Sequence, residues 1–157
     1  MIATIELTDD SKSFWTPNQN NFQTWIELVL EELQLTNPIT ISIRLVTLEK
    51  ARRLNLHYRN KNYAPNVLSF PANLPDHAMP VFFSKPIGDI VVCPEIVQRE
   101  ADEQKKLINA HWAHLMIHST LHLKGFHHKT PKEAESMEKQ EIKILKKLGF
   151  PNPYLVV

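Results

Sequence analysis

Hydrophobic positions along this chain change period several times, and each change marks an element. Residues 2–7 alternate Ile2, Thr4 and Glu6 against Ala3, Ile5 and Leu7, a loose period-two pattern for a first strand. Thr16-Pro17 has the form of an N-cap and first helical residue. Phe22, Trp25, Ile26, Val29, Leu30 and Leu33 then recur at three- and four-residue steps, which predicts a helix to about residue 35. Ile39 to Val46 alternates with β-branched residues and reads as a second strand, and Leu48 to about His57 reads as a helix. The segment Asn60 to Asn66 is a loop by its Asn and Pro content. Val67 to Phe70 is a short strand stopped by Pro71, and residues 72–80 form another loop.

Strand-like runs follow at Val81–Phe83 and Asp89–Val92. Pro94 opens a short helix through about Arg99, Glu103 to Leu123 reads as one long helix, and Pro131 to Leu148 as a last helix ended by Gly149. Strands and helices mix without strict alternation. The expectation is an α+β fold, a small mixed sheet of about four strands packed with about five helices. Residues 1–157 should form a single domain, and no repeat or linker interrupts them.

Composition narrows the function classes. Net charge is +1, from 18 basic and 17 acidic residues, so no global field announces a nucleic-acid partner and any such affinity must be local. Arg52, Arg53, Arg59 and Lys61 do cluster, with His57 and Tyr58 between them, although a solvated helix face explains that cluster equally simply. The single Cys93 excludes an intramolecular disulfide framework and, beside Val91 and Val92, reads as a buried strand residue. The N-terminus lacks the basic and apolar regions of a signal peptide, and no stretch approaches the ~20 apolar residues of a membrane helix. A cytoplasmic protein without membrane contact is expected.

Chemistry concentrates in one segment. Six of the eight histidines lie between His111 and His128. On a helix, His111, His114, His118 and His122 share an arc of about 80°. Burying all four as uncharged core groups would require several separate hydrogen-bond partners, whereas a shared metal explains the convergence. Gly125 can stop the helix in a left-handed conformation and return the chain so that His128 approaches His118 and His122. Three imidazoles with an open fourth position suit a catalytic metal. Zinc is the default, and nickel, cobalt, iron or copper would accept the same donors. Such a metal can lower the pKa of a water toward ~7 and polarise a phosphoryl or carbonyl oxygen. His127 is the rival of His128, His114 is a supporting or substrate-facing group, and His111 is structural or exposed. The spacing H-x-x-x-H-x-x-G-x-x-H is that of metalloproteases, but their general-base glutamate is replaced by Ser119, which cannot take the proton.

The segment from His118 to His128, His-Ser-Thr-Leu-His-Leu-Lys-Gly-Phe-His-His, resembles the signature H-G-x-L-H-L-x-G-Y-D-H of the YbeY family of bacterial rRNA-maturation endoribonucleases. Leu54-Asn55, Tyr58-Arg59 and the run from Lys61 to Pro71 resemble the family segment L-N-x-x-Y-R-x-K-D-Y-A-T-N-V-L-S-F-P. The run Ile87-Gly88-Asp89 to Pro94 resembles L-G-D-I-V-I-C-P. The resemblance implies a metal-dependent, single-strand-specific endoribonuclease that acts in rRNA 3′-end maturation and ribosome quality control. Ribosomal RNA and ribosomal subunits would be its partners. It implies His118, His122 and His128 as metal ligands and Arg59 as the functional arginine, with Arg59 and Lys61 as RNA contacts. A guanidinium suits that role because it pairs with phosphate oxygens through two parallel hydrogen bonds. Ser119, Phe126, His127, Asn62 and Pro65 depart from the family pattern, and His127 and Asn62 each replace an aspartate. The competing readings are a ribosome-associated metal module that does not cleave, and a metalloprotease-like hydrolase.

Overall fold

The chain runs β1 (Ala3–Asp9), α1 (Gln19–Glu32), β2 (Ile39–Leu45), α2 (Leu48–Arg59), β3 (Val67–Pro71), β4 (Lys85–Val92), α3 (Pro94–Glu103), α4 (Ile108–Leu123) and α5 (Pro131–Lys147) in a computed structural model that describes residues 1–11, 14–72 and 84–155. The architecture is α+β, with four strands and five helices among the described residues. Strand order is β1-β2-β4-β3. β1 and β4 both pair with β2 in parallel, and β3 closes one edge antiparallel to β4.

Period-two patterning places the core. Ile39, Ile41, Ile43 and Leu45 of β2 are buried on one face, while Arg44 between the last two is exposed. That face carries the main core with α1, α4 and α5, where Phe22 meets Trp112 edge-on at 6.0 Å. A smaller cluster of Val46, Ala51, Leu68, Val91 and Cys93 lies apart from it, with Leu54 of α2 and Ile96 of α3 packed against it. Cys93 is buried, as expected, but it lies just past β4 as the N-cap of α3 rather than in a strand; burial raises its thiol pKa.

Several boundaries differ from the pattern reading. The first helix begins at Gln19, because the Asn18 side chain accepts from the Asn21 amide and Asn21 returns the bond, a reciprocal cap that Thr16 does not make. β1 runs on to Asp9 and α2 to Arg59. β4 starts at Lys85 rather than Asp89, absorbing Pro86 and Gly88 at a bulge where Thr40 pairs with Pro86 and Ile41 with Gly88. Pro71 belongs to β3, tolerated because β3 is an edge strand. The break before the histidine helix falls later than expected: α3 runs on past Arg99 to Glu103, Lys105 turns the chain with φ 54°, and α4 begins at Ile108 rather than Glu103. The expected strand at Val81–Phe83 lies outside the described residues.

α4 is the axis of the molecule. It packs against α1, α3, α5, β3 and β4, and ten of its sixteen residues are buried. At its C-terminal end Gly88 allows the closest approach, since a Cβ there would sit 2.5 Å from the Phe70 carbonyl and 2.6 Å from Leu123 Cδ2. This contact fixes the end of the histidine helix against β3 and β4.

Candidate metal centre and cleft

His114, His118 and His122 are half-buried positions on α4, one turn apart. Gly125 ends that run with φ +97°; its amide donates to the His122 carbonyl and the Phe126 amide to the Leu121 carbonyl. These two bonds form a Schellman closure, and Phe126 packs on the core as its hydrophobic anchor. The chain turns back, and His118, His122 and His128 each present a ring nitrogen within 4.8 Å of the others. The His128 ring lies 4.8 Å from that of His122, whereas His127 is 6.3 Å away and falls outside the group of three.

The donor set fits a divalent transition metal. Burial, and then the neighbouring His118 and His128, hold the His122 pKa down at about 4, so its ring is neutral with a lone pair available. Neutral imidazoles are the ligands that zinc and its neighbours prefer.

A cleft of about 790 Å³ brings these groups together with Tyr58 and Arg59 from the end of α2, the length of β3, and Lys129 and Tyr154. Arg59 reaches it because α2 ends there: Asn60 adopts a left-handed φ of 57°, and buried Asn55 donates to the Tyr63 carbonyl at 2.9 Å, anchoring the following loop. The rest of the basic cluster is engaged elsewhere or outside the cleft. Arg52 and Arg53 bond Glu49 at 2.7 and 3.2 Å, and exposed Lys61 does not line the cleft. His114 lines it, while His111 is buried and held by Glu100 at 3.0 Å. Ser119 is buried away from the cleft lining, and its hydroxyl has no hydrogen-bond partner among the described residues.

Pattern reading missed two residues of this site. Glu141 of α5 is buried, with Oε2 3.0 Å from His118 Nδ1 and Oε1 2.5 Å from His114 Nε2. Tyr154, beyond α5, donates its hydroxyl to the same Oε1 and sets its ring 5.4 Å from that of His114. Burial would raise the Glu141 pKa, but the bonds from His114, His118 and Tyr154 outweigh it and hold the carboxylate at about 2. One signal could have found Glu141: it stands on the buried stripe of α5 with Met137, Ile144 and Leu145, where a carboxylate is costly.

A family model described as Endoribonuclease YbeY matches residues 5–149. A Pseudomonas syringae protein named Endoribonuclease YbeY is 46% identical over 138 residues, 88% of this chain and 80% of that protein. A Cellvibrio japonicus protein of the same name is 41% identical over 151 residues, 96% of this chain and 82% of its own. The solution structure of a Thermotoga maritima protein matches with a TM-score of 0.58 at 21% identity, covering 93% of this chain and 92% of that one, a likeness of fold. With its histidine triad, cleft and nearly full-length match, the chain belongs to the YbeY endoribonuclease family.

Proposed function

We infer that residues 1–157 act as one metal-dependent endoribonuclease domain that cuts single-stranded RNA, with His118, His122 and His128 as metal ligands and Arg59 on the phosphate. The observation that carries this reading is the placement of Arg59 in the same cleft as the three converging imidazoles. When bound, the metal supplies Lewis acidity toward a phosphoryl oxygen and a water. Arg59 offers a fixed fork of donors to the phosphate oxygens and stabilises charge that develops on them. His114, with Nε2 turned to Glu141, borders the same space.

Zinc is the proposed metal, the default for three imidazoles with an open position, although nickel, cobalt, iron or copper would accept the same donors. Ribosomal RNA and the ribosomal subunits are the proposed partners, in keeping with the family resemblance, and the cytoplasm is the proposed compartment. Among the described residues no helix is long and apolar enough to cross a membrane. Ser119 supports a phosphodiester substrate over a peptide, because a buried, unpartnered hydroxyl outside the cleft cannot serve as the protease base.

Cleavage of a single-stranded RNA by protein stripped of metal and then reloaded, with casein as a control, tests the reading. Cutting of RNA that disappears on stripping and returns with zinc is expected, with casein untouched. Reloaded protein that leaves RNA intact would replace this reading with a non-cleaving module, and casein digestion would restore the protease.

A further inference from the structure

The structure assigns Glu141 as the positioning residue of the metal centre, a single buried carboxylate that orients the ligand His118 and the cleft residue His114 together. This role rests on the proposed ligand set and follows from valence. A neutral imidazole carries one N–H and one lone pair on its two ring nitrogens. Glu141 Oε2 lies 3.0 Å from His118 Nδ1 and, as a carboxylate, can only accept there. The proton of His118 is thereby placed on Nδ1, and the lone pair is left on Nε2 for a metal. A carboxylate behind a ligand imidazole also raises its basicity and fixes its plane.

The other oxygen does similar work one turn earlier. Oε1 accepts from His114 Nε2 at 2.5 Å and from the Tyr154 hydroxyl, so the two rings and the carboxylate form one closed set of contacts. Glu141 is fully buried and sits on α5, which packs along α4, so the position of its backbone is set by helix packing. Tyr154 touches only Oε1, the oxygen that does not face His118. This asymmetry separates positioning from general tightening: removing the tyrosine hydroxyl leaves the charge-assisted bond to the ligand intact, and removing the charge of Glu141 weakens it.

Two measurements test the assignment. In wild-type apo-protein, long-range proton–nitrogen NMR of the histidine side chains should show His118 as the Nδ1–H tautomer. Zinc affinity, read by competition with a chromophoric chelator near neutral pH, should fall about 10–100-fold in Glu141→Gln. It should stay within about threefold of wild type in Tyr154→Phe, and Glu141→Asp should recover part of the loss. Glu141→Asp also serves if Glu141→Gln does not fold. An Nε2–H tautomer at His118, or unchanged zinc affinity in a folded Glu141→Gln or Glu141→Asp protein, would overturn the assignment. An equal loss in Tyr154→Phe would overturn it too, as the mark of loosened packing. A wild-type protein that binds no zinc would remove the ligand reading along with it, an outcome distinct from a failure at Glu141 alone.

Discussion

Arg59 stands at the last position of α2, exposed, in a cleft whose other side carries the histidines. A side chain placed there can be removed without opening the core. Arg59→Ala should therefore keep wild-type folding and metal content while RNA cleavage falls about 10²–10³-fold. Arg59→Lys should recover only part of it, because an ammonium keeps the charge but loses the planar fork. Cleavage rates at fixed salt, with elemental analysis of each variant, decide the matter, and full activity in Arg59→Ala would remove Arg59 from the site. The triad was legible in the sequence because its spacing is local: a four-residue step on a helix and a glycine that turns the chain. Glu141 was not, because it lies 23 residues beyond His118 in a helix rich in charge. Only its place between Met137 and Ile144 on the buried stripe distinguishes it from the less buried glutamates of the same helix.

Among the elements, the contact of β3, β4 and the end of α4 is the tightest constraint. Gly88→Ala would drive a methyl to within 2.5 Å of a backbone carbonyl that cannot swing aside. A loss of about 1–3 kcal/mol is expected from overpacking, seen as a lower urea midpoint with unchanged slope. At Gly125 a methyl would meet nothing within 4 Å, so Gly125→Ala should cost only the backbone term of about 1–2 kcal/mol. A larger effect at Gly125 than at Gly88 would invert this account. α1 and α5 are joined by Glu32, which meets Lys143 at 2.5 Å and Lys147 at 2.7 Å. The hydrogen bonds from Lys143 and Lys147 lower the Glu32 pKa from its usual 4.5. A lowered carboxylate contributes stability above that value and loses it as pH falls through the folded pKa. Thermal midpoints of wild type should thus drop more steeply below about pH 4.5 than those of Glu32→Gln, by a modest amount because both lysine partners are exposed and pairs at the surface contribute ~0–1 kcal/mol. Parallel curves would show that the clamp adds nothing. The break between α3 and α4 was placed a few residues early in the sequence because Lys105, not a glycine, takes the left-handed turn. Strand order was likewise illegible, since it depends on which strands meet and not on any one strand's pattern.

At the scale of the molecule, a single thiol, buried among apolar side chains, means that folding needs no oxidation. Equal thermal unfolding midpoints with and without reductant are expected, and a large drop on reduction would reveal an intermolecular disulfide.

The enclosure of α4 has a kinetic consequence. Five neighbouring elements hold this helix in place, so His118 and His122 stand ready before any ion arrives. His128 rides on the connection between α4 and α5, exposed and attached beyond Gly125. On the proposed ligand set, two donors would be preset on a rigid helix and the third would come from the short connection 124–130. Substitutions in that connection should then shorten the residence of a metal more than they disturb the fold.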